Sequence, residues 1–206
     1  MIDVSHQISA VQRTVGRRTL AAGEARVVTI TQSYPGPVED VWDACTNPER
    51  LPRWFLPVTG ELKPGGHYQL EGNAGGTVES CDPPHAFAAT WEYGGEVSWI
   101  EVRISAEGDG TRLRLEHIAH VDDERWAEFG PGAVGVGWDL SVMALARHLA
   151  TGADVASEQT WMASAEGLRF MTDSSEAWCA ASIAGGTDPA AARAAADRTT
   201  AAYTAG

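Results

Sequence analysis

Apolar and polar residues alternate along this chain with two different periods, and the places where the period changes divide it into elements. In Ala25 to Ser33, ARVVTITQS, Val28 and Ile30 alternate with Thr29 and Thr31, the two-residue period of a half-buried strand. The period then changes. Val38, Val41, Trp42 and Cys45 share one helical face behind Pro37, and Asn47-Pro48 opens a second short helix ending near Pro52. From Val58 the strand period returns in six short runs, each bounded by Gly, Pro or Asp: two around the Pro64-Gly65-Gly66 turn, then GTVESCDPP, AFAATWEY, EVSWIEVRISAE and GTRLRLEHIAH. Such short connections predict antiparallel pairing. In the last run Leu113, Leu115 and His117 alternate with Arg112, Arg114 and Glu116, so the first set is expected to face inward.

The pattern ends in a long helix predicted over Pro131 to Ala150, roughly 30 Å at about 1.5 Å per residue. Trp138, Val142, Leu145 and Leu149 recur at the spacing of one apolar face, with Asp139, Arg147 and His148 falling elsewhere. Pro131 suits its first turn and Gly152 its stop. Ahead of the sheet, residues 1–24 show no sustained alternation and read as an arm. Behind the helix, residues 153–206 carry Trp161, Ala165 and Leu168 on one face, a capping box at Asp173 and Glu176, a stop at Gly185-Gly186, and an Ala-rich helix from Asp188-Pro189 towards Tyr203. The organisation predicted is an arm over 1–24, an α+β domain over 25–152 and a helical extension over 153–206.

Composition narrows the function classes. The 206 residues are 44% hydrophobic with eight Trp, enough for one sizeable core. A net charge of −13 argues against phosphate backbones and anionic membrane surfaces, so no nucleic acid and no membrane partner is expected. Three widely spaced cysteines, Cys45, Cys81 and Cys179, suggest neither a zinc site nor a disulfide framework. With no signal-like apolar run, a reducing cytoplasm is the expected compartment.

Few residues present chemistry. His117 stands on an inward strand position, where a neutral imidazole could orient a polar ligand, although a satisfied core histidine is the plainer reading. Trp54, Trp91, Trp99 and Trp138 could line an aromatic wall, or simply pack. Gly132, Gly135 and Gly137 lack the preceding strand and the Lys-Ser/Thr pair of a phosphate loop, and more plausibly let helix and sheet approach closely. His67, His85, His117 and His120 have no metal-ligand spacing. No metal, no cofactor and no catalytic residue is predicted.

The order of these elements is that of a known family, and particular residues carry the resemblance. The helix ending in Arg53-Trp54-Phe55, the turn at Pro64 to Gly66, the strand Thr90 to Tyr93, the strand Gly110 to His117 and the helix opening Gly137-Trp138 together resemble the SRPBCC (START/birch-pollen-allergen-like) superfamily. They resemble most the branch related to activators of the heat-shock chaperone ATPase. The extension is similar in style to that of actinobacterial members of this branch. The resemblance implies a helix-grip fold, with about seven antiparallel strands wrapped round the long helix and an apolar cavity between them. It implies no reaction, since the fold hosts carriers, cyclases and chaperone activators alike.

The function expected is therefore binding of an apolar small molecule between sheet and helix, by Trp54, Trp91, Leu115, His117, Trp138, Val142 and Leu145. The alternatives are a polyketide cyclase or aromatase, which needs convergent ionisable groups in the cavity, and a chaperone-interacting module. Trp161, Phe170, Trp178 and Tyr203 in the extension must be buried somewhere, either on this chain or on a second copy in a homodimer.

Overall fold

A computed structural model of the chain describes residues 3–152 and 158–205. Its strands are β1 (Val11–Leu20), β2 (Gly23–Pro35), β3 (Val58–Gly60), β4 (His67–Leu70), β5 (Gly75–Asp82), β6 (Ala86–Tyr93), β7 (Glu96–Glu107) and β8 (Gly110–Ala119). The helices are α1 (Val4–Ala10), α2 (Val38–Thr46), α3 (Asp123–Phe129), α4 (Gly132–Thr151), α5 (Glu158–Met162), α6 (Ala165–Ala184) and α7 (Pro189–Thr204), with a 3-10 turn at Leu51–Arg53. One curved sheet has the order β1-β2-β8-β7-β6-β5-β4-β3, and with the long helix α4 it is a helix-grip α+β fold.

The six runs from Val58 to Ala119 pair antiparallel with their neighbours, as their short turns require. The register in β6 to β8 sets the faces. Ala89 stands opposite Ile100 and Ile100 opposite His117, while Trp91 stands opposite Ser98. With side chains alternating, Phe87, Ala89, Trp91, Ile100, Leu115 and His117 share one face, and Trp99 points to the other.

Two compact units share the chain, and β2 and α4 run through both. One holds Thr31–Ala119 and the second half of α4 from Ser141. Its core includes Val41, Ile104, Leu113 and Leu145, and the Tyr34 hydroxyl donates to the Val142 carbonyl at 3.3 Å.

The other unit holds the chain up to Ile30, His120–Leu140 and the C-terminal helices. Here the structure corrects several expectations. Residues 11–20 are not arm but strand β1, the eighth strand where about seven were expected. Its apolar alternation is broken by Arg13, which reads as a solvent residue yet is covered: its Nε and Nη2 hold both carboxylate oxygens of Asp139, at 2.9 and 2.7 Å. Asp139 is fully buried and also accepts from Ser174 Oγ at 2.5 Å and Trp178 Nε1 at 2.9 Å, so α4 does not carry a polar face here. His148, likewise expected off the apolar face, is 5% exposed.

The glycines of α4 face the C-terminal helices, and not the sheet. A Cβ on Gly135 would lie 2.4 Å from the Trp178 ring, and one on Gly132 would lie 2.9 Å from Thr199. Helix α3 was not anticipated; Asp122 caps it by accepting from Arg125 N at 2.7 Å, and Asp123 and Glu124 fill its first turn. Nor does a helix begin at Asp173. Ser164 caps α6, which runs unbroken to Ala184, so Asp173 and Glu176 are interior positions and Arg169 pairs with Asp173 one turn along. The Asp188 cap of α7 is as expected.

Two aromatic rings of the extension are buried in this chain and two are half-buried against it. Phe170 and Trp178 are buried in their own unit, Trp161 packs edge-on to Phe170 at 5.8 Å, and the Tyr203 hydroxyl donates to the Ala133 carbonyl at 2.9 Å.

Candidate functional site

In the unit built on β3 to β8, a cavity of about 130 Å³ lies against β4 to β7, under α2 and the 3-10 turn. Phe87, Ala89 and Trp91 enter it from β6 and Ile100 from β7; Cys45 and Thr46 close it from the end of α2. Leu51 and Phe55 come from the turn and the residues after it. Leu62, which also lines it, is 37% exposed, so the cavity reaches the surface there.

The polar atoms of the lining are few and occupied. The Tyr68 hydroxyl donates to the Thr90 carbonyl at 2.6 Å, and burial, helped by the charge of Glu92, pushes its pKa up to about 12. The Thr46 hydroxyl turns back to the Trp42 carbonyl at 2.8 Å. Burial pushes the Cys45 thiol up to about 12 against the opposing charge of Arg50, and burial together with Asp82 raises Cys81. Both thiols are therefore protonated near neutral pH and behave as small polarizable apolar groups. No Asp, Glu, His, Lys or Arg is among the described residues lining the cavity.

A charged corner holds the α2 side of the wall. Arg50, next to Leu51, donates through Nη1 to the Asp40 carboxylate at 2.7 Å, the Asp40 carbonyl at 3.1 Å and the Asp43 carboxylate at 3.1 Å. Its Nε donates to His148 Nε2 at 3.1 Å. His148 accepts there, so that nitrogen carries no proton. Burial alone would raise Asp43, but hydrogen bonds from Arg50 and Asn47 and the guanidinium charge outweigh it and hold the carboxyl below its ordinary value. Burial likewise disfavours the Arg50 charge, and the two aspartates more than offset it.

Of the seven residues expected to bind a ligand, Trp91 lines this cavity. The other six do not. Trp54 is buried behind it, donating from Nε1 to the Ala44 carbonyl at 2.9 Å, with its ring 5.5 Å from that of Phe55. Leu115 and His117 lie on the cavity's face of the sheet, but Val102 and Ile100 are their neighbours on β7. His117 meets Ser98 Oγ at 2.9 Å. Because that hydroxyl donates to the Trp91 carbonyl at 3.0 Å, His117 is the donor. Its burial lowers its pKa to about 4, so the ring is neutral. Val142 and Leu145 are buried on α4 within this unit, whereas Trp138 is buried on the part of α4 that belongs to the other.

Sequence reasoning passed over Cys45, Leu51, Phe55, Tyr68 and Phe87 as ligand contacts. The alternation of Phe87, Ala89 and Trp91 in AFAATWEY was a usable signal for the sheet side. The short helices between Pro37 and Pro52 were expected at the mouth of the ligand space, and Cys45, Thr46 and Leu51 from that stretch do line the cavity. Among the described residues no group of three or more His, Cys, Asp or Glu is placed to hold a metal ion, and no single helix is long and apolar enough to cross a membrane.

Comparison with known proteins places this geometry among relatives. The family described as Activator of Hsp90 ATPase homolog 1-like protein matches residues 35–150. The solution structure of CalU16 from Micromonospora echinospora is 38% identical, with a TM-score of 0.73 over 86% of this chain and 97% of that one. Its crystal structure gives a TM-score of 0.67 over 84% and 98%. DynU16, a protein of the dynemicin biosynthetic locus, shares the fold at 22% identity, with a TM-score of 0.55 over 62% of this chain and 48% of its own. No curated protein sequence matches the chain.

Proposed function

The chain belongs to the Activator of Hsp90 ATPase homolog 1-like family of SRPBCC-type proteins, and from that premise we propose that it is a binding protein for an uncharged, apolar small molecule. The observation that carries this reading is the chemistry of the cavity wall. A cyclase or aromatase needs a placed acid or base to move protons, and the lining offers two protonated thiols, an engaged phenol and an engaged threonine hydroxyl. An apolar wall with few, occupied polar atoms favours burial of apolar surface and penalises any charge that enters unpaired.

The ligand site is the pocket between β4 to β7 and the α2 corner, in place of the helix–sheet space expected from the sequence. His117 of β8, outside the lining, stands directly behind Trp91 of this wall.

Mass spectrometry of the protein purified under non-denaturing conditions is expected to detect a copurifying apolar compound. Ala89→Leu, which adds volume inside the cavity, is expected to remove it while leaving the fold intact. A compound retained by Ala89→Leu, or one released only by Val142→Ala on α4, overturns the assignment of the site.

A further inference from the structure

The size and walls of the cavity define its ligand more narrowly. Drug-sized pockets run from about 300 to 1,000 Å³, whereas an apolar cavity of about 150 Å³ accommodates benzene. At about 130 Å³ this one encloses about one ring. Four of its lining residues are aromatic: Phe55, Tyr68, Phe87 and Trp91.

Three of those four rings are backed by a second ring that stays outside the cavity. Trp42 stands edge-on to Phe87, with centroids 6.1 Å apart and planes at 74°. Trp54 lies 5.5 Å from Phe55 at 30°. His117 stands edge-on to Trp91 at 6.3 Å and 61°. The fourth, Tyr68, is held through its hydroxyl by the Thr90 carbonyl. The aliphatic part of the wall, Leu51, Val58, Leu62, Leu70, Val78 and Ile100, supplies apolar surface to any ligand, so what distinguishes ligands is the four rings. Rings held at fixed angles present edges and faces of defined polarity, and these reward a partner that has an edge and a face of its own. The thiols of Cys45 and Cys81 add polarizable contacts of the kind sulfur makes with aromatic rings.

We propose that the group bound in this cavity is one uncharged aromatic ring, with the rest of its ligand leaving at Leu62, and that Trp42, Trp54 and His117 are positioning residues that hold the wall for it. The inference rests on the binding function proposed above.

The test is titration of the full-length protein with four small probes, followed by amide chemical shifts of the cavity residues. Benzene is expected to bind about two- to tenfold tighter than cyclohexane, the preference that ring-to-ring geometry provides over area alone. Naphthalene is expected to bind no tighter than benzene, because its second ring can only leave at Leu62 and gains no enclosed wall, and benzoate more weakly than benzene, because its carboxylate has no partner in the wall and must stay at that mouth. Phe87→Leu, which keeps an apolar wall, and Trp42→Leu, which leaves the wall and removes only its backing, are each expected to bring the benzene-to-cyclohexane ratio close to one. If either variant does not fold, the ratio in the other decides.

Equal affinity for benzene and cyclohexane, or naphthalene binding about tenfold or more tighter than benzene, overturns the ring assignment and leaves the binding function standing. Absence of binding by all three neutral probes overturns both.

Discussion

Trp91 lines the cavity and His117 stands behind it, ring edge to ring face with centroids 6.3 Å apart, so the histidine shapes the site without reaching it. The Ser98 hydroxyl joins the two residues a second time, accepting from the imidazole and donating to the Trp91 carbonyl.

Burial of His117 makes stability depend on pH. Its folded pKa, about 4, lies below the unfolded value near 6.5, so the unfolded chain binds the proton more readily between those limits. The stabilisation is complete above about pH 6.5 and is lost as pH falls through about 4, a change of roughly 3 kcal/mol. Urea denaturation midpoints measured from pH 7 to 4 are expected to fall less steeply in His117→Phe, which keeps a ring behind Trp91 but cannot titrate. An unchanged slope would contradict this account.

Asp139 and Arg13 form a buried ion pair whose charges cannot be separated cheaply. Asp139→Ala leaves the guanidinium, 6% exposed, without its carboxylate and is expected to cost about 3–5 kcal/mol. Replacing both, as Arg13→Met with Asp139→Leu, is expected to cost far less than the sum of the single changes. Thermal unfolding of the three variants measures the coupling, and strict additivity would refute it.

Gly135 admits the Trp178 ring because it has no Cβ. Gly135→Ala would place that atom 2.4 Å from the indole and is expected to destabilise by about 1–3 kcal/mol, although alanine is the better helix former. The penalty is expected to shrink in a Trp178→Leu background, where the facing side chain is smaller. A stabilised Gly135→Ala protein would show that the helices are not in contact there.

Cys45 is expected to resist alkylation. With its thiol raised to about 12 by burial, its thiolate fraction at pH 8 is roughly a thousandfold below that of a thiol near 9, and reaction with iodoacetamide should be slow by a comparable factor. Peptide mass mapping after timed labelling reads this directly. Labelling of Cys45 at the rate of a free thiol would mean that the α2 corner opens.

Much of the fold was legible because its signals are local. The β8 run GTRLRLEHIAH alternates cleanly, and the β6 and β8 runs are joined to β7 by short turns, at Tyr93–Glu96 and Glu107–Gly110, whose residues dictate an antiparallel return and so the register. The caps at Asp188 and Gly185-Gly186 are equally local. Strand β1 was not legible, since Arg13 interrupts its alternation and its partner lies 126 positions away at Asp139. The break expected at Asp173 came from reading a helix-interior salt-bridge residue as a cap.

The periods, the turns, the order of the strands from Val58 to Ala119 and the inward face on which Trp91, Leu115 and His117 all stand were legible in the residues themselves, because a two-residue period leaves no freedom once one strand is oriented. Where along that face the chain leaves space depends on contacts between segments far apart in the chain. A cavity is what remains after every neighbour has packed, and Cys45, Leu51, Phe55, Tyr68 and Phe87 come to its wall from separate elements, α2, the 3-10 turn and the residues after it, β4 and β6. The same reason explains Asp139: a carboxylate reads as solvent-facing until an arginine from β1 and a serine and a tryptophan from α6, two segments far away in the chain, surround it.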